Sequence, residues 1–131
     1  MRIQPGVLIT GLVIIVAATP VGAHHSAAAE FDESKTVTVS GTVSKVEWTN
    51  PHTRFHLDVV NPDKTVASWS FELASPNVLT RAGWGKRTVN AGDKITASGS
   101  PARSGKTMAI AKSVVTADGK KLFAGTTGIA P

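Results

Sequence analysis

The sequence predicts an all-β fold: an OB-fold-like small Greek-key barrel of five to six strands, with one short helix between strands three and four. Three observations carry this reading. The elements run as three strands, a short helix and two strands; the first strand slips phase midway; and a Ser-Pro pair starts a helix where this fold places one.

The first strand begins at Thr36, where Val37, Val39, Gly41 and Val43 alternate with Thr38, Ser40, Thr42 and Ser44. The next apolar residues are Val46 and Trp48, so the phase shifts by one without a turn signal. That shift implies a β-bulge near Ser44-Lys45. The second strand, Arg54 to Val60, directs Phe55, Leu57 and Val59 inward and Arg54, His56 and Asp58 outward. Asn61-Pro62-Asp63-Lys64 reads as a β-turn with Pro at its second position. A third strand puts Ala67, Trp69, Phe71 and Leu73 on one face, with Val66, Ser68, Ser70 and Glu72 on the other. Ser75-Pro76 supplies an N-cap and a first-turn Pro for a helix Pro76–Arg81, which stops at Gly83. Strand four spans Lys94–Gly99, a polar loop covers 101–106, and strand five spans Thr107–Thr116 with no clear inward face. Asp118-Gly119 signals a hairpin into a short sixth strand around Leu122-Phe123.

The chain has 131 residues with 41% hydrophobic and 18% charged, a globular balance with room for one domain. Residues 1–23 read as a signal peptide: Arg2, the apolar run Val7–Ala18, then Pro20 and the small residues Val21-Gly22-Ala23. The run is shorter than the about 20 residues a spanning helix needs. The expected mature chain starts at His24, with an N-terminal arm over 24–35, the barrel over 36–125 and a flexible tail over 126–131. Its expected location is periplasmic or secreted, with no membrane span once the leader is removed. Cys is absent, which excludes disulfides, thiol nucleophiles and Cys-based zinc sites.

Several stretches carry a resemblance: His24-His25-Ser26, Glu30-Phe31-Asp32, Gly41-Thr42-Val43, Val46-Glu47-Trp48-Thr49-Asn50-Pro51-His52, Trp69, Pro76 with Leu79, Arg81-Ala82-Gly83-Trp84, Gly92-Asp93 and Asp118-Gly119. Through them the chain resembles a family of small exported proteobacterial proteins of unknown function with an OB-fold-like domain. The resemblance implies export and a small β-barrel; it brings no catalytic residues.

Two constellations offer chemistry. In OB barrels, the loops after strands one and four flank a ligand face on strands two and three. Here they bring Asn50 and His52, then Arg103 and Lys106, to a face carrying Arg54 and His56. Such a face suits a small polar ligand, or an extracytoplasmic protein partner; the plain alternative is a solvated sheet surface. The second constellation is the start of the mature chain. The α-amine and imidazole of His24, with His25 and a distant His52, form a nitrogen-rich set suited to Cu(II). His52 and His56 stand roughly 13 Å apart along an extended strand, too far to share an ion. The net charge is +5, yet Trp69 and Phe71 fall on the inward face, which argues against a nucleic-acid groove built on stacked bases. Trp84 reads either as a cap on the barrel end or as an exposed partner anchor among Arg81, Lys86 and Arg87. Glu30, Asp32 and Glu33 fall on what reads as a mobile arm. No nucleophile elbow, phosphate-binding glycine loop or His-Glu-x-x-His is present, so the expectation is a binding or accessory module and no enzyme.

Overall fold

The computed structural model describes residues 27–124. The expected signal peptide, His24, His25 and the tail 126–131 lie outside them. The elements are α1 (Ala27–Glu30), β1 (Val37–Glu47), β2 (Arg54–Val60), β3 (Val66–Glu72), α2 (Pro76–Arg81), β4 (Lys94–Pro101), β5 (Met108–Val115) and β6 (Lys121–Phe123). The sheet order is β3-β2-β1-β4-β5-β6, and a parallel pairing of β3 with β5 closes β1 to β5 into a barrel. This connectivity, with α2 between β3 and β4, is that of the OB-fold.

The bulge lies where the alternation slips. Val43 pairs with Leu57 and Lys45 with His56, leaving Ser44 as the extra residue. Its hydroxyl donates to the His56 carbonyl at 3.3 Å. The bulge turns Val43 and Val46 to the same interior and sends Lys45 and Glu47 outward. Gly41 lets the strand bend past its neighbour, because a Cβ there would meet the Asp58 carbonyl oxygen at 2.6 Å.

Phe55, Leu57, Phe71 and Leu73 fill the interior from β2, β3 and the residue after it. Phe71 stacks between Phe55 and Trp69, at centroid distances of 5.5 and 6.0 Å. The Ser75 hydroxyl caps α2 by accepting from Val78 N at 3.4 Å, and Gly83 at φ +91° follows the helix. Leu79 and Trp84 then plug the barrel end. Trp84 is only 4% exposed and its indole N–H donates to the Phe123 carbonyl at 2.9 Å, so it is a cap and not an exposed anchor.

Three features depart from the expectations: the end of β4, the course of β5, and the arm, which is docked where the sequence reads as mobile. β4 runs on to Pro101, because Ser100 and Pro101 still pair with Ile110 and Ala109. β5 carries a second bulge: Ser98 faces Ser113 while Gly99 faces Ala111, which leaves Lys112 extra. That bulge explains the mixed alternation, since Ala109 and Ala111 face inward before it and Val114 after it.

The arm is docked. Phe31, 2% exposed, packs with Ala102 and Ile110 in a cluster separate from the main core. Asp32 N–H donates to the Pro101 carbonyl at 2.8 Å, and Arg103 N–H to that of Glu30 at 2.9 Å. No helix among the described residues is long and apolar enough to cross a membrane.

Candidate binding face on the second strand

Register decides which outward side chains meet. Across β1, β2 and β3, Glu47 lies opposite Arg54, which lies opposite Glu72; one step on, Lys45, His56 and Ser70 align. Residues directly opposite share a face, so these six form one surface. The pairing continues beyond β2, where the Leu73 N–H donates to the Thr53 carbonyl at 2.8 Å and the Thr53 N–H to that of Ala74 at 3.1 Å, and this holds His52 beside the same face.

Two carboxylates organise the surface. Glu47 takes Lys45 Nζ at 2.9 Å on one oxygen and His56 Nε2 at 3.0 Å on the other. The bond to His56, then that to Lys45, pulls the Glu47 pKa down to about 2. Glu72 takes His52 Nδ1 at 2.7 Å on one oxygen and Arg54 Nη2 at 3.0 Å on the other. The histidines therefore do not converge; each has its own carboxylate. His52 Nε2 and His56 Nδ1 have no partner among the described residues.

Of the residues expected at the face, the structure gathers His52, Arg54 and His56. Asn50 is exposed in the β1–β2 loop, ahead of a cis bond to Pro51. Arg103 turns away: its Nε donates to the Ala28 carbonyl at 3.0 Å and its Nη1 lies 3.8 Å from Asp32, so it clasps the arm. Lys106 is exposed on the β4–β5 loop. Among the described residues no three His, Asp or Glu side chains converge as a metal site. Sequence reasoning missed Glu47 as an organiser. The signal was available in the bulge, which turns Glu47 to the side of Arg54.

A second concavity adjoins this face. An open groove of about 530 Å³ runs between the end of β1 and the segment before β4, lined by Glu47, Trp48, Thr49, Lys86, Val89 and Asn90 among others. Trp48 is half-buried and packs against the main core while also lining the groove.

A closed five-stranded barrel with a helix between β3 and β4 and a polar β2–β3 face defines an OB-fold-like domain. The chain belongs to a family of unknown function (DUF6152), whose pattern matches residues 12–111. Comparison with curated proteins finds no match. Among solved structures the chain is similar to the N-terminal domain of PriB protein from Thermoanaerobacter tencongensis, described as dimeric. The two share 17% identity with a TM-score of 0.43, over 64% of this chain and 97% of that one.

Proposed function

We propose that the protein is an exported OB-like binding module that holds a small polar ligand on the outward face of β2. The observation that carries this is the row Lys45–Glu47–His56 beside His52–Glu72–Arg54, in the position where OB barrels take ligands. Carboxylates fix the imidazoles and the guanidinium in place, so a ligand meets ordered donors and acceptors and costs little side-chain entropy on binding. Chemical-shift mapping with phosphate, acetate and galacturonate tests the reading. Shifts at Lys45, Arg54, His56 and Ser70 are expected, and their loss in Glu72→Gln supports the face. Silence at those residues with every probe overturns the small-ligand reading in favour of a protein partner. Export is tested separately by intact mass from the native host, with a start at His24 expected.

One observation favours a second reading, Cu(II) held by the mature amino terminus. His52 gives one ring nitrogen to Glu72, the arrangement a metal-bound imidazole commonly shows, and keeps Nε2 for an ion. Ala27 packs on the cluster containing Ile110, and Ile110 is the sheet partner of Glu72. Calorimetry with Cu(II) is expected to show weaker binding in His52→Ala and in a chain with one residue added before His24. Unchanged binding in both variants excludes the site.

A further inference from the structure

The groove beside Trp48 is separate from the β2 face except for Glu47, which borders both. Its volume of about 530 Å³ lies within the range of roughly 300–1,000 Å³ usual for small-molecule sites. Its walls combine an indole that the core holds in place, a carboxylate, an ammonium on Lys86 and an amide on Asn90. Asn90 Nδ2 donates to the Arg87 carbonyl at 2.8 Å, which fixes the amide and leaves its oxygen as an acceptor.

Charge narrows what fits. The lining carries one carboxylate, Glu47, and one ammonium, Lys86, so neither sign of charge is favoured along the whole groove. The Glu47 oxygens already hold Lys45 and His56, so a cation gains little there. What remains is an uncharged ligand with hydroxyl groups to donate and accept, and a flat apolar side for the indole. A pyranose has that form: its axial C–H face packs on an aromatic ring and its rim carries hydroxyls.

We propose that the groove between β1 and the 86–91 segment is a subsite for a neutral saccharide. The sugar lies on Trp48, gives a hydroxyl hydrogen to Glu47 and takes hydrogen bonds from Lys86. The β2 face plays no part in this contact except through Glu47, so the two sites stand or fall separately.

The test is a titration of the isotope-labelled protein with maltohexaose, cellohexaose and chitohexaose, read by the indole N–H signals and the backbone amides. With at least one of the three, the Trp48 indole and the amides of residues 86–91 shift together. The indoles of Trp69 and Trp84, which lie outside the groove, stay in place. Trp48→Ala weakens binding by about tenfold or more, and Trp48→Phe recovers part of it because a smaller ring still offers a flat face. If Trp48→Ala does not fold, the comparison of wild type with Trp48→Phe and Lys86→Ala decides, each expected to bind more weakly than wild type. Silence at Trp48 and residues 86–91 with all three saccharides overturns the subsite. So does a shift there with choline or galacturonate that exceeds the saccharide response. Shifts confined to His56, Arg54 and Ser70 also overturn it, while supporting the face on β2.

Discussion

Helix α2 with Trp84 and the arm with Phe31 both cover the barrel, yet they are built into it differently. Leu79 and Trp84 join the main core, and the Trp84 indole is tied to β6 through Phe123. Phe31 sits in a cluster of its own with Ala102 and Ile110, and its backbone neighbours hang on the end of β4 and the loop after it by a few hydrogen bonds. The first cover is part of the folding unit; the second is an attachment. Local opening free energies follow such contact differences, so the arm should open without the barrel.

The largest effect that exposes the difference is at Trp84. Trp84→Ala leaves a cavity at the barrel end and strands the Phe123 carbonyl, with an expected cost of about 3–5 kcal/mol. Urea unfolding measures it, and the loss should appear in the whole cooperative transition. A loss below about 1 kcal/mol would mean the barrel end closes without its plug. Phe31→Ala should behave otherwise. Its expected global cost is about 2 kcal/mol, below the usual range for a buried Phe, because the arm can leave while the barrel stays closed. Hydrogen exchange should quicken at the amides of Phe31 and Asp32 and at Arg103, with β1 and β2 unchanged. Equal quickening in β1 would show the arm to be part of the folding unit. Arg103→Ala is the milder version, about 1 kcal/mol from the lost bond to the Ala28 carbonyl.

The same contrast separates what the sequence made readable from what it hid. The helix of the plug was legible because its signals are local, with Ser75-Pro76 starting it and Gly83 following it; Trp84 left two readings, cap or exposed anchor, which its burial and its bond to Phe123 decide. The bulge at Ser44 was legible because it leaves a phase error in an otherwise regular strand. The bulge at Lys112 was not, because Met108–Val115 is apolar on both sides: Ile110 faces outward under Phe31 while Ala109 and Ala111 face inward. The docking of the arm was hidden for the same reason, since its receptor is assembled from residues more than seventy positions away. At the face, residue types marked His52, Arg54 and His56. Which carboxylate each one meets depends on cross-strand register, and residue types alone do not encode register.

The smallest effect concerns that register directly. Glu47 holds two partners, and its pKa is displaced to about 2, with the His56 bond the first cause and Lys45 the second. A carboxyl whose folded pKa lies below its ordinary 4.5 binds protons less readily in the folded chain than in the unfolded one. Its contribution is therefore complete above pH about 4.5 and fades as pH falls toward about 2. The group is at the surface, where such pairs are worth little, so the effect belongs in a titration and not in a melting curve. Carbon-detected titration of the Glu47 side chain should give a midpoint near 2 in the wild type. In His56→Ala the midpoint should rise, and in Lys45→Ala it should rise by less, following the order of the two causes. A wild-type midpoint near 4.5 would show that Glu47 does not hold His56 in solution. It would also remove the ordered row on which the proposed ligand face depends, leaving His52, Glu72 and Arg54 to carry any binding alone.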